Sequence, residues 1–184
     1  RQLGYTVTLL SDDDLETADL SRCTAIVAGI RAYNTRPRLK VLNRRLLDYV
    51  EKGGRYVVQY QTTNDLVLDS FGPYPFKLSR DRVTVEEAPV TTMPHAVLAG
   101  PNRIAAADFD GWVQERGLYF AGTWDPKYET PLGSHDPDEP ERKGGLLVAR
   151  YGKGTFTYTG YAFFRQLPAG VPGAIRLFVN LLEA

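Results

Sequence analysis

Thr24-Ala25-Ile26-Val27-Ala28-Gly29-Ile30 opens the stretch whose reading decides the fold. A loop, Arg31-Ala32-Tyr33-Asn34-Thr35-Arg36, follows it, and Pro37 comes next. The seven-residue run is apolar without alternation, the pattern of a strand covered on both faces in a parallel sheet. Pro37 suits a first helical turn, where a missing N–H costs nothing. Leu39, Leu42, Leu46 and Val50 then recur at helical spacing. Gly53-Gly54 stops that helix, and Arg55-Tyr56-Val57-Val58-Gln59-Tyr60 reads as the next strand. Strand, loop, helix, strand is a βαβ unit, which predicts a right-handed crossover and a parallel pair.

Working downstream, Gly145–Tyr151 and Thr155–Gly160 read as two strands joined by a hairpin turn at Gly152-Lys153-Gly154. Pro172 opens a last helix, with Ile175, Phe178, Val179 and Leu182 predicted on one side. Between these halves, residues 64–143 read as an irregular insertion rich in Pro and short polar runs. Arg82–Val85 is a candidate short strand there. Asp108–Val113 is a helix start or tight turn, and Ser134–Lys143 an exposed acidic loop. Upstream, Ser11-Asp12-Asp13-Asp14 is a turn or N-cap cluster, and Tyr5–Leu10 a strand. Arg1–Gly4 reads as the last turn of a helix with Gly4 as its left-handed cap, so an N-terminal truncation is expected. The whole, 1–184, is expected to be one α/β domain: a mostly parallel sheet flanked by helices, with a late antiparallel hairpin.

The 184 residues carry 22 Lys+Arg against 22 Asp+Glu, a formal net charge of zero. A dedicated nucleic-acid binder needs a basic excess, so that class is set aside. One Cys and two His cannot build a four-ligand Cys/His zinc site or an internal disulfide. No apolar run approaches the ~20 residues of a membrane span. Arg31 to Arg45 holds six basic residues and no acidic one. That run reads as a solvated helix face paired with Asp48 and Glu51 rather than a phosphate patch.

Ala28–Arg36, Asp108–Phe120, and Gly152–Thr155 running on to Phe163–Pro168 together carry a resemblance over nearly the whole chain. They resemble the class I glutamine-amidotransferase-like, ThuA-related domain at the C-terminus of bacterial PIG-L (LmbE-type) deacetylases. The resemblance implies a flavodoxin-like sheet, with one central strand and helix preceding Tyr5. It also implies a partner, the zinc-dependent deacetylase domain of N-acetylated sugars in the same longer chain, and leaves the compartment open between cytoplasm and export. That domain's His-Pro-Asp-Asp type of motif does not occur here. The nearest string, His135-Asp136-Pro137-Asp138, reads as a solvated loop.

Amide hydrolysis in this fold needs a Cys on a sharp turn after a central strand, activated by a His. The matching turn is Gln61-Thr62-Thr63-Asn64, without Cys. After the late strand stands Tyr161-Ala162-Phe163-Phe164-Arg165, without His. Cys23 lies before the strand, at the other sheet edge, and reads as an inert thiol. Thr62 or Thr63 lacks a base, and His95 lacks a partner at recognisable spacing. No catalytic residue, metal ligand or cofactor is therefore assigned.

Ligands of open parallel sheets sit beyond the carboxyl ends of the strands. Three loops emerge there, and they supply the candidate binding residues: Arg31, Tyr33, Asn34 and Arg36; Tyr60, Gln61, Thr62 and Asn64; and Arg165. Arg offers a rigid donor fork, Asn, Gln and Tyr read hydroxyls, and aromatics stack on sugar faces. The set suits a carbohydrate or small anionic ligand. The same residues also suit strand-end backbone groups that need partners. Both readings stand for the loop at 31–36, and the structural one takes precedence in the others. Two functions follow: a non-catalytic accessory domain for ligand binding or interdomain docking, or a small-molecule or sugar-modifying hydrolase using the loops at 31–36 and 60–64.

Overall fold

The computed structural model describes residues 2–184, so the reading of Arg1 lies outside them. The predicted βαβ unit is present as β1 (Ala25–Ala28), two helices and β2 (Arg55–Gln59). The helices are a single turn, α2 (Ala32–Thr35), and α3 (Leu39–Glu51). β1 and β2 are parallel, with Ala25 opposite Arg55 and Ala28 opposite Val58. Leu39, Leu42, Leu46 and Val50 are all buried, as their spacing requires.

The sheet is completed by the late hairpin, β9 (Leu146–Tyr151) and β10 (Gly154–Thr159). β10 returns across the molecule to lie parallel to β2 on its other side, and β9 pairs antiparallel at the far edge. The strand order is β1-β2-β10-β9. The chain is thus α/β, with a mixed sheet of three parallel strands and one antiparallel strand. One face packs under α3 through Tyr56, Val58, Phe156 and Tyr158. The other packs under α6 (Pro172–Glu183) through Val57, Leu146 and Val148.

The intervening segment is less irregular than its composition predicts. It folds into three antiparallel pairs: β3 (Phe76–Leu78) with β7 (Ala121–Trp124), β4 (Arg82–Val83) with β6 (Gly117–Leu118), and β5 (Val90–Thr92) with β8 (Leu132–Ser134). Two further single-turn helices are α4 (Ala96–Ala99) and α5 (Phe163–Gln166). A buried cation braces this segment. Arg116 donates to the carbonyls of Ala88 and Phe109, and its guanidinium sits 5.6 Å from the centre of the buried Trp112 ring. Desolvation pulls its pKa below the usual guanidinium value.

Four expectations need correction. Tyr5–Leu10 is not a strand. Val7 and Leu9 are exposed, so neither face of the segment buries enough apolar surface to hold a ladder. β1 is not covered on both faces: it is an edge strand, and Val27 beside Val57 is 40% exposed where the α6 layer does not reach. The buried face of α6 is Ala174, Leu177, Phe178 and Leu181, about one residue round from the predicted one. Ser134–Lys143 is not simply an exposed loop, because Ser134 ends β8 and Asp136 is buried. Gly4 is left-handed as expected, at φ +85°.

The basic run from Arg31 finds acids on an element the sequence did not pair with it. A short helix, α1 (Asp12–Thr17), begins at Ser11, which accepts from the Asp14 N–H while Asp14 accepts back from Ser11. Asp12 pairs with Arg36, and Asp13 and Glu16 with Arg38. Only Arg44 pairs within α3, with Asp48 at 2.8 Å.

The β9–β10 turn seats on the end of α3: Lys153 N–H donates to Glu51 O and Thr155 N–H to Gly54 O. This approach depends on Gly154, where a Cβ would lie 2.1 Å from Val50 O and 2.2 Å from Gly54 O. Gly154→Ala is expected to destabilise the domain by about 1–3 kcal/mol. Gly29→Ala, whose Cβ meets nothing within 4 Å, should cost far less. Equal urea midpoints for the two variants would contradict this packing.

Candidate functional site

β1, β2 and β10 end together, and the loops at 29–36, 60–65 and 160–166 form the carboxyl edge of the sheet. The first residue past β2, Tyr60, has φ +30°. It is held there from both sides: its N–H donates to Thr159 O at 2.8 Å, and its C=O accepts from Arg31 N–H at 2.9 Å. Non-glycine residues rarely adopt positive φ, and those that do are held by their surroundings. Among the described residues six do so, and Arg31, Tyr60, Asp65 and Tyr119 are four of them.

Gln61 comes next and is fully buried. Its side-chain carbonyl accepts from Tyr33 N–H at 2.7 Å, and its amide donates to Gly29 O at 3.0 Å and to Gln59 O. The side chain continues the β1–β2 ladder after the strands diverge. Asn34 does the same one layer out: its amide donates to Thr62 O and Asn64 O, and its carbonyl accepts from Thr62 N–H. Tyr33 is also buried, stacked on Phe71 at 4.5 Å, with its hydroxyl donating to Asn43 at 2.5 Å and lying 2.8 Å from the Tyr56 hydroxyl. Burial pushes the Tyr33 phenol well above its ordinary value.

The expected binding residues therefore separate. Tyr33, Asn34, Gln61 and the Thr62 backbone are engaged with their own loops. Arg36 faces Asp12 and the Leu10 carbonyl. Arg31 and Asn64 are exposed. Tyr60 and Arg165 meet each other in a cluster that the sequence reading did not assemble. Tyr60 packs edge-on against Phe164 at 4.8 Å and against Tyr119 at 5.5 Å. Arg165 lies 5.0 Å from the Phe164 ring and pairs with Glu115 at 3.2 Å. All five are half-buried. Burial first, then the Glu115 and Tyr119 charges, push the Tyr60 phenol up to about 12, against an opposing pull from Arg165. Tyr119 and Glu115 escaped notice because they lie about fifty residues before the loop they join.

The catalytic and metal alternatives fare as follows. His95 uses Nδ1 to accept from Val97 N–H at the start of α4, and Nε2 lies 3.6 Å from Glu129. Thr62 turns its hydroxyl to Asn64 O. Cys23 is half-buried at the amino edge, beside an open depression of about 490 Å³ that Arg45, Asp48 and Tyr49 also line. Among the described residues no group of three or more His, Cys, Asp or Glu side chains could hold a metal, and no helix is long and apolar enough to cross a membrane. Asp136, in the His-Asp-Pro-Asp string, is 7% exposed rather than solvated. It accepts from Thr84 N–H, Thr84 Oγ1 and Val85 N–H at 2.8–3.0 Å, which fastens the β8 loop to β4.

Two substitutions test these assignments. Gln61→Leu leaves Tyr33 N–H without its acceptor and removes the amide donor from Gly29 O and Gln59 O, and is expected to cost about 1–3 kcal/mol in urea unfolding. A neutral result would show that the edge is not held by this amide. Burial tends to raise the Asp136 pKa, but its donors from Val85 and Thr84 outweigh that and lower it. A lowered native pKa contributes stability above the ordinary carboxylate value of about 3.9, lost as pH falls through the native value. Asp136→Asn should therefore be less stable than the wild type at pH 7, and the gap should close below about pH 4. A gap independent of pH would contradict the assignment.

No family model matches the chain, and no curated protein matches it. Several solved structures resemble it in fold. A cytoplasmic protein of Salmonella typhimurium LT2 superposes with a TM-score of 0.60 at 14% identity, over 99% of this chain and 82% of that one. A second cytoplasmic protein of Salmonella typhimurium gives 0.54 at 14%, over 96% and 75%. Alpha-L-fucosidase isoenzyme 2 from Paenibacillus thiaminolyticus gives 0.53 at 13%, over 92% of this chain and 26% of that one. At such identities the likeness is one of fold alone.

Proposed function

We propose that this chain is an amidotransferase-like accessory domain that has no amide-hydrolysing chemistry and works by binding at the carboxyl edge of its sheet. The observation that carries this reading is the turn after β2. Tyr60 occupies the strained first position, and Gln61, behind it, is consumed by Tyr33 and Gly29. A phenol held near 12 is a poor nucleophile at neutral pH. No thiol stands there either, since Cys23 lies at the opposite edge. The partner suggested by the sequence resemblance is a deacetylase domain of a longer chain, to which this domain would dock or deliver a ligand.

The hydrolase alternative requires Arg31, Tyr33 and Gln61 to converge on a substrate with an acid. Tyr33 and Gln61 expose no surface to meet one, so the accessory reading is preferred.

Incubation with glutamine and simple primary amides is expected to release no ammonia above the buffer rate. Release that Thr62→Ala or His95→Ala abolishes would overturn the proposal.

A further inference from the structure

The aromatic cluster on the carboxyl edge has features that internal packing does not explain. Its three rings come from three separate segments, Tyr60 and Tyr119 from loops and Phe164 from α5, and stay half-exposed. Two of the three, Tyr60 and Tyr119, have positive φ at non-glycine positions. Strain of this kind persists only where the surroundings hold it, and it collects at functional sites. The Tyr119 backbone is held by Tyr158, whose hydroxyl donates to Tyr119 O at 2.6 Å from within the core. The shelf is therefore braced from below, so a ligand would not have to order it.

Its rim selects a chemistry. Arg165 supplies donors, and Glu115, 3.2 Å away, supplies acceptors. The pair is neutral overall. An anion approaching the rings meets the Glu115 carboxylate, and a cation meets the Arg165 guanidinium. A hydroxyl both donates and accepts, so vicinal hydroxyls fit the pair without a net charge cost. The rings stand edge-to-face, with the Arg165 guanidinium over one face of Phe164, and the apolar surface they leave exposed suits a ligand that is apolar on one side. A pyranose ring has both properties: a C–H face for the rings and equatorial hydroxyls for the rim.

We propose that Tyr60, Tyr119 and Phe164, with Arg165 and Glu115 at the rim, form a binding shelf for a neutral hexopyranose. The inference rests on the binding reading above and names its ligand class and site.

The test is titration of the folded domain with methyl glucoside, methyl galactoside, methyl mannoside and N-acetylglucosamine, followed by saturation-transfer NMR and tyrosine fluorescence. At least one should bind saturably. Phe164→Ala and Arg165→Gln should each weaken that sugar by about tenfold or more, equivalent to ~1.4 kcal/mol. Lys52→Gln, at the opposite sheet edge, should leave it unchanged. Should Phe164→Ala fail to fold by circular dichroism, Glu115→Gln keeps the side-chain shape and should give the same loss. Absence of saturable binding by the wild type overturns the proposal, as does binding that both shelf variants leave intact. The ammonia measurement is independent. Release there would sink the silent-domain reading while sugar binding persisted, and failed sugar binding would leave the ammonia result unaltered.

Discussion

A parallel sheet has a difficulty at its carboxyl edge: where the strands diverge, backbone donors and acceptors lose their ladder partners while still buried. Here one side chain resolves it. Gln61 places a carbonyl against Tyr33 N–H and an amide against Gly29 O, standing in for the next rung between β1 and β2. With that rung in place, Tyr33 can be buried against Phe71 and reach Asn43 on α3. Helix, sheet and first loop are thereby joined at one point. Tyr60, immediately before that residue, has positive φ and is held by the Thr159 carbonyl and the Arg31 N–H.

The parts of the fold legible in the sequence were those governed by local periodicity. The spacing of Leu39, Leu42, Leu46 and Val50, bounded by Pro37 and Gly53-Gly54, defines a helix in any context. The glycines around Lys153 likewise marked a hairpin whose strands shifted by one residue at most. What stayed hidden depends on partners distant in the chain. Tyr5–Leu10 has the composition of a strand and lacks a neighbour to make it one. Thr24–Ile30 has the hydrophobicity of a central strand and sits at an edge, because among the described residues no fifth strand or further helix covers Val27.

The site divided along the same line. Polar residues at strand ends lie at the carboxyl edge, but their type does not say whether they face a ligand or each other. The Gln61 side chain faces the Tyr33 backbone, and the Tyr33 side chain faces Phe71, Asn43 and Tyr56. Tyr119 and Glu115 reach the cluster from Asp108–Phe120, a stretch whose residues gave no sign of lying beside Tyr60 and Arg165, placed by pairing of β6 with β4 and of β7 with β3. Nor does local pattern show that Asp136 is the anchor of a loop rather than part of an acidic surface. Three donors from Thr84 and Val85 make it so, and they lie some fifty residues away.

The manner in which α1 is attached has a dynamic consequence. The helix is six residues long and buries only Leu15. What else holds it to the body is a set of ion pairs, Asp12 to Arg36 and Asp13 and Glu16 to Arg38, most of them open to solvent. Such contacts weaken as counterions accumulate, whereas the apolar contacts under α3 do not. Added salt should therefore lower the cost of lifting α1 off α3 without loosening the sheet, so the α1 amides should exchange through a local opening that depends on ionic strength while those of the core strands do not.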